Sequence, residues 1–335
     1  MKALLLKRYG GPDATELGEA PKPEPGPGKV LIRVHAAGLN PVDYKIREGA
    51  LKGIQRYRLP AVMGCELSGV VEKTGAGANG FKPGDRVFGR VSKEGLGAFA
   101  EFAVVHQDLL AKVPDGLDLV TAAGVPLAGL TALQALRDEM QLKPGQSVFI
   151  SGGAGGVGTF AIQIAKWLGA RVVTTASPRG RALVERLGAD EVIDYTTERF
   201  QDRLSGMDGA FDLMGGETLD ATFGVVKPGG LVVSISGLPE PETARKDLSL
   251  GPLMTAAFWF VSRKLRGLAR QHGVRYRFLF MHPSGAELAE LAELVAAGRL
   301  DPVVDKVFPF ADFAAAMAYL EAGRAKGKVI LRMVD

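Results

Sequence analysis

Gly153-Ala154-Gly155-Gly156-Val157-Gly158 is the segment of this 335-residue sequence with the clearest capacity for chemistry. The spacing Gly-x-Gly-x-x-Gly is weak evidence alone, because 44 residues of the chain are glycine. Its context is stronger: the apolar run Val148-Phe149-Ile150 enters it and a helical pattern from Thr159 to Leu168 leaves it. Strand, glycine turn and helix in that order make a cradle for a dinucleotide pyrophosphate. Gly153 is expected to take the tight turn, Gly155 to let the backbone approach the phosphates with no Cβ in the way, and Gly158 to bring helix and sheet close. The free N–H groups and positive dipole end of the helix then hold the anion.

The tip of the following strand selects between cofactors. Dinucleotide folds that bind NAD place an acid there, about 20 residues on, to accept hydrogen bonds from the ribose hydroxyls. This sequence reads Thr174-Thr175-Ala176-Ser177-Pro178-Arg179-Gly180-Arg181, with no acid. A hydroxyl and guanidinium groups suit a 2′-phosphate, since Arg presents several donors and a permanent charge. The expected cofactor is therefore NADPH. Arg179 ranks above Arg181, which reads nearly as well as a solvated residue at a helix start with Ser177 as its N-cap.

Two kinds of element must position these residues. The first third is punctuated as short strands: Lys29 to Ala36 with Val30, Ile32 and Val34 alternating, then Leu67 to Lys73, Asp85 to Gly89 and Ala98 to Val105, which suggests a small barrel-like β domain. From about Thr121, helices alternate with apolar strands at Ser147–Ser151, Arg171–Ala176, Glu191–Asp194, Gly209–Leu213, Leu231–Ile235 and Tyr276–Met281. That alternation argues for a parallel sheet covered on both faces. Leu238 to Gln271 is a long excursion with a helix expected from Leu253 to Ala269, apolar early and basic late; it reads equally as a cover over a ligand crevice or as a packed surface helix.

Composition excludes several classes. A hydrophobic content of 47% with 23% charged residues describes a globular chain, and the length predicts two domains. A single cysteine excludes intrachain disulfides and multi-thiolate zinc sites, which points to a reducing compartment, read as the cytoplasm. A net charge of +4 is too small and dispersed for a nucleic-acid footprint. No apolar run approaches a bilayer span, so no membrane partner is expected; Met254 to Val261 reads as part of an ordinary helix.

The sequence also resembles the medium-chain dehydrogenase/reductases, in their zinc-independent quinone oxidoreductase or zeta-crystallin branch. The resemblance spans essentially the whole chain. It is carried by Ala37-Gly38-Leu39-Asn40-Pro41-Val42-Asp43-Tyr44-Lys45, Gly84-Asp85-Arg86-Val87, Pro126-Leu127-Ala128-Gly129-Leu130-Thr131-Ala132, the glycine turn, Leu187-Gly188-Ala189-Asp190 to Tyr195, Lys227-Pro228-Gly229-Gly230 and Gly323-Arg324-Ala325-Lys326-Gly327-Lys328-Val329. Within the branch, Asn-Pro-Val-Asp-x-Lys is most similar to the NADPH-dependent alkenal and ene-one reductases. The resemblance implies an α/β fold made of a GroES-like β-rich catalytic domain, residues 1–122 with 284–335, and a Rossmann doubly wound parallel-sheet domain, residues 123–283, with the cofactor between them. It further implies a homodimer paired through the strand at Tyr276–Met281.

Residue by residue, the resemblance implies that Asn40, Lys45 and Thr131 face the nicotinamide and substrate. Gly155, Gly156 and Val157 line the pyrophosphate, and Ser177, Arg179 and Tyr195 surround the 2′-phosphate. Met214, Ser236 and Gly237 fall where ribose and nicotinamide rest, and Phe280 and Met281 lie near the nicotinamide edge. Hydride transfer to the β-carbon of an unsaturated carbonyl drives negative charge onto its oxygen, so a fixed cation is needed there, and Lys45 is the candidate. A quinone is the alternative substrate; a non-enzymatic NADPH-binding protein is a further one, against which Asn40 and Lys45 both stand. Zinc catalysis is disfavoured: Leu39 to Pro41 stand where the branch with zinc carries its first cysteine, Gly64-Cys65-Glu66 replaces Gly-His-Glu, and His35, His106, His272 and His282 form no ligand-spaced pair.

Overall fold

A computed structural model of the chain describes residues 1–92 and 95–333. The chain forms two compact units, residues 1–130 with 283–335 and residues 131–282. The passage from the first to the second falls inside the helix Pro126–Leu133.

The first unit is built on a seven-stranded sheet. Its long central strand Lys29–Leu39 is antiparallel to Glu66–Thr74 on one side and to Lys328–Arg332 on the other. The C-terminal strand therefore completes a sheet begun by the N-terminal third. The alternation Val30, Ile32, Val34 places these side chains in a core shared with Leu67, Val71, Val87 and Val329, as period-two patterning requires. Lys2–Leu6 lies between Thr15–Glu19 and Ala61–Val62 in a separate three-stranded sheet.

The second unit is a six-stranded sheet in the order Glu191–Asp194, Arg171–Ala176, Ser147–Ile150, Met207–Asp212, Val226–Ser234, Arg275–Phe278. Every pair is parallel. Numbered along the chain the order is 3-2-1-4-5-6, the doubly wound arrangement whose switch point lies beside the first strand. Val148, Phe149, Ile150, Val172, Val173, Ala210, Phe211, Val232 and Val233 are all buried, the continuous apolar signature of strands covered on both faces.

The excursion differs from its expected form. In place of one helix, Pro252–Val261 and Arg263–Gln271 are separate helices. They meet at Ser262, whose hydroxyl donates to the Phe258 carbonyl at 2.6 Å. The excursion is anchored by Arg277, 2% exposed on the last strand. Its guanidinium pairs with Glu139 at 3.1 Å, with Glu240 at 3.2 Å and with Asp247, and donates to the Thr243 hydroxyl at 3.0 Å. These acids gather around one cation, and Glu139 has a second in Lys246 at 2.6 Å. Removing one partner of a buried ionic cluster typically costs about 3–5 kcal/mol. Arg277→Met is accordingly expected to lower unfolding stability by about that amount in urea denaturation.

Candidate functional site

Within the second unit, the glycine turn occupies the carboxyl end of Ser147–Ile150. The left-handed residue is Gly152, with φ 70°, and not Gly153 as the spacing suggested. Gly153 is required for a different reason: a Cβ there would lie 2.2 Å from the Thr174 hydroxyl oxygen. A Cβ on Gly158 would meet the Gly152 carbonyl oxygen at 2.6 Å, so close helix–turn packing is what that position demands. At Gly155 the nearest atom to a Cβ is the Gly152 carbonyl oxygen at 3.4 Å, which leaves open space on the side an anion would approach. Two bonds pin the turn to the neighbouring strand: Gly152 N–H donates to the Thr175 hydroxyl at 2.9 Å and Gly153 N–H to the Thr175 carbonyl at 3.1 Å.

The helix leaving the turn begins at Gly156, earlier than Thr159, and no side chain caps it. Its first N–H groups, at Gly156 and Val157, therefore have neither an intrahelical acceptor nor a capping side chain, the condition for anion binding. At the tip of Arg171–Ala176, Ser177 occupies the N-cap of Pro178–Arg186 but its side chain makes no capping bond. Arg179 is exposed and makes no ion pair among the described residues. Arg181, by contrast, donates to the Val192 carbonyl at 3.0 Å and faces Glu185 at 3.4 Å. Arg179 is thus the freer guanidinium. Tyr195, 56% exposed, follows the end of Glu191–Asp194.

A hub absent from the sequence reading holds the later strand ends. Asp212, fully buried, accepts from the Ser151 hydroxyl at 3.2 Å, the Ser234 hydroxyl at 2.7 Å and Gly215 N–H at 3.1 Å. One carboxylate thereby ties three adjacent strand ends together. Met214 follows it, 61% exposed, with its sulfur 2.9 Å from where a Gly152 Cβ would stand. The Ser236 hydroxyl donates to the Leu213 carbonyl at 2.8 Å, and Gly237 N–H donates to the Ser234 hydroxyl at 2.9 Å. A Cβ on Gly237 would lie 2.4 Å from the Tyr276 hydroxyl. Met214, Ser236 and Gly237 therefore cluster with the turn at one end of the sheet. Phe280 and Met281 are half-buried beyond the last strand, the former anchored by its N–H on Asp247 at 2.9 Å. Thr131 is buried in Pro126–Leu133.

In the first unit, Asn40 belongs to a buried polar network. Its Nδ2 donates to Glu66 Oε1 at 2.7 Å and its Oδ1 accepts from Lys328 Nζ. Lys328 Nζ also donates to Glu66 Oε1 at 2.8 Å and to the Leu39 carbonyl at 3.2 Å. The second Glu66 oxygen accepts Leu127 N–H at 2.6 Å, at the start of Pro126–Leu133. A Cβ on Gly38 would fall 2.2 Å from Glu66 Oε1, so that glycine makes room for the carboxylate. In the sequence Glu66 belongs to a metal-like motif and Lys328 to a family motif, and their pairing across 262 positions has no local signal.

Asn40 is also the N-cap of Pro41–Glu48, its N–H donating to Asp43 Oδ2 at 2.8 Å. Lys45 stands on the exposed face of that helix, without an ion pair among the described residues. Asp43 is buried, and one of its oxygens has no hydrogen-bond partner among the described residues. Desolvation pushes its carboxyl up to about 7, against the lowering effect of the Asn40 N–H and the Cys65 thiol.

Two known domain families match the chain: the alcohol dehydrogenase GroES-like domain at residues 26–115 and the zinc-binding dehydrogenase family at residues 187–331. An NADPH-dependent alkenal/one oxidoreductase of Arabidopsis thaliana chloroplasts is 36% identical over 99% of this chain and 79% of its own length. A 2-methylene-furan-3-one reductase of Solanum lycopersicum is 34% identical over 100% of this chain and 79% of its own. The quinone oxidoreductase of Coxiella burnetii superposes with a TM-score of 0.85 at 32% identity, covering 100% of this chain and 99% of that one. The chain belongs to the zinc-independent quinone oxidoreductase branch of the medium-chain dehydrogenase/reductases.

Although one matching family is described as zinc-binding, the donor set of this oxidoreductase does not fit that metal. Glu66 is committed to Lys328, Asn40 and Leu127. Burial raises the Cys65 thiol well above its ordinary pKa, which opposes the thiolate that zinc requires. Among the described residues, no three His, Cys, Asp or Glu side chains converge as a metal site.

Asp43 gives the oxidoreductase a pH signature. Its carboxyl holds a proton in the folded state up to about pH 7 but loses it near its ordinary value when unfolded. Folding therefore takes up a proton in that window, and the stabilisation present at low pH is lost as pH rises through it. The slope contributed by one such group is at most about 1.4 kcal/mol per pH unit. Urea denaturation of Asp43→Asn, which keeps an acceptor for Asn40 N–H, is expected to show a flatter decline between pH 5 and 7 than the parent.

Proposed function

We propose that this oxidoreductase reduces the carbon–carbon double bond of small α,β-unsaturated carbonyl compounds with NADPH. The observation that carries the reading is the tip of Arg171–Ala176, where the acid-free loop presents the exposed Arg179 and the uncommitted Ser177 hydroxyl beside an uncapped helix start. Gly155, Gly156 and Val157 offer backbone donors to the pyrophosphate. Ser177, Arg179 and Tyr195 would hold the 2′-phosphate. Met214, Ser236, Gly237 and Thr131 hold the ribose and nicotinamide, with Phe280 and Met281 at the ring edge.

When bound, NADPH would supply the hydride for the β-carbon of the substrate. As that bond forms, the carbon–carbon π electrons shift toward the carbonyl oxygen, and the Lys45 ammonium is the group that meets the developing charge. The α-carbon then takes a proton from solvent water as the oxygen's charge returns to re-form the carbonyl, so one hydride and one proton are added across the double bond. Asn40 acts as a positioning residue: with its amide held by Glu66 and Lys328 it fixes the start of the helix that carries Lys45. Likeness to the Coxiella burnetii quinone oxidoreductase supports a second reading, two-electron reduction of a quinone at the same site. The outer edge of Arg275–Phe278, last in the sheet order, is the surface through which a homodimer would pair. The cytoplasm is the compartment we assign; among the described residues no helix is long and apolar enough to cross a membrane.

NADPH oxidation with an enone, an enal and a small quinone tests the reading, with NADH and added zinc as controls. Oxidation of simple alcohols that requires zinc, without enone or quinone turnover, would overturn it. A charge-assisted hydrogen bond contributes about 1.5–3 kcal/mol, so Arg179→Ala is expected to weaken NADPH binding roughly ten- to a hundredfold while leaving NADH nearly unchanged. Lys45→Ala is expected to lower kcat by roughly a hundredfold with little change in NADPH affinity, measured by single-turnover kinetics and cofactor titration.

A further inference from the structure

The helix Pro252–Val261 is apolar in sequence yet lies on the surface, with Phe258 its one buried residue. Leu253 is 84% exposed, Trp259 56%, Phe260 57% and Val261 44%. Leu253, Ala257 and Phe260 fall at i, i+4 and i+7, a single stripe. Beside Trp259, an open, mainly apolar cleft of about 670 Å³ continues this surface, with Pro241, Leu250 and Ala256 among its walls. A contiguous exposed patch of large apolar side chains marks an interaction surface.

The charges around the patch say what covers it. Between Asp247 and Glu287 the sequence has no acidic residue, while Arg263, Lys264, Arg266 and Arg270 follow the apolar helix. The Arg263 guanidinium sits over the Phe260 ring at 4.3 Å and that of Arg266 over the Trp259 ring at 4.9 Å. Cations are therefore joined directly to the exposed aromatics. Arg270 is exposed and has no partner among the described residues. Lys264 is paired with Asp220 at 2.5 Å, but a second copy placed face to face on this patch would still bring the Arg263, Arg266 and Arg270 rims together, whereas a surface of anionic headgroups over an apolar interior matches both parts at once.

We propose that Pro252–Val261 and Arg263–Gln271 form an interfacial membrane-docking surface for bilayers carrying anionic lipid. Leu253, Trp259 and Phe260 enter the headgroup–acyl boundary, and Arg263, Arg266 and Arg270 meet the headgroup phosphates. The protein lies on the bilayer without spanning it. The proposal departs from the expectation of no membrane partner, in which Met254 to Val261 is part of an ordinary helix.

Flotation of the full chain with vesicles of phosphatidylcholine containing about 30% phosphatidylglycerol, against pure phosphatidylcholine, tests the proposal. Expected are co-flotation with the anionic vesicles that weakens with added salt, and a blue shift of Trp259 emission in a Trp167→Phe background. The double variant Trp259→Glu and Phe260→Glu is expected to reduce partition at least tenfold, and Arg263→Gln with Arg270→Gln to abolish the preference for anionic lipid. Both variants should keep the parental rate of NADPH oxidation, which reports an intact fold. Absence of flotation with anionic vesicles, or equal binding to neutral ones, would overturn the proposal. So would a fall in the native mass of the Trp259→Glu and Phe260→Glu variant in light scattering, which would assign the face to a second copy.

Discussion

The first unit depends on the buried ion pair of Glu66 and Lys328. A charge withdrawn from water is tolerable only when each polar atom around it is answered. Here Glu66 receives Lys328, Asn40 and the Leu127 N–H, and Lys328 spends its donors on Glu66, Asn40 and the Leu39 carbonyl. The consequence is geometric: one pair joins the end of Lys29–Leu39, the start of Glu66–Thr74, the start of Pro126–Leu133 and the C-terminal strand. Loss of either charge would leave the other buried and free the helix that carries Lys45 from its fixed start.

The same economy appears at the carboxyl ends of the parallel sheet, where Asp212 binds three strand ends through hydroxyl and backbone donors. Parallel strands have no hairpins to lock their ends together, so a buried acceptor performs that task. The glycine turn beside it remains uncapped and open at Gly155. A rigid rim around backbone donors that the fold itself does not use is what preorganised binding of a phosphate requires, since the cost of ordering the site is met on folding.

Much of the fold was legible because its signals are local. Strands at Arg171–Ala176 and Glu191–Asp194 were readable from apolar runs between helical patterns, and the glycine turn from its spacing. The excursion was readable as helical but not as two helices, because the break is a departure of the Ser262 backbone from helical angles, φ −84° and ψ 2°, in a run with no glycine or proline to signal it. Spacing points to Gly153 for the turn that Gly152 makes, since both are glycine and only backbone geometry separates them. Exposure of Leu253, Trp259 and Phe260 was invisible, because an apolar helix reads alike whether it packs in a core or lies on a surface.

The sequence by itself pointed to the class of chemistry: a strand–glycine–helix unit with no acid at the next strand tip, on a chain whose histidines form no ligand-spaced pair. Those are properties of residue type and short spacing. Tertiary structure supplied the reason Arg179 ranks above Arg181, whose guanidinium is held by the Val192 carbonyl, and it alone decided that Glu66 is an ion-pair partner and not a ligand and that residues 40, 66, 127 and 328 share one buried network. Each of these depends on which side chains compete for the same donors and acceptors once distant segments meet, and that competition has no counterpart along the chain.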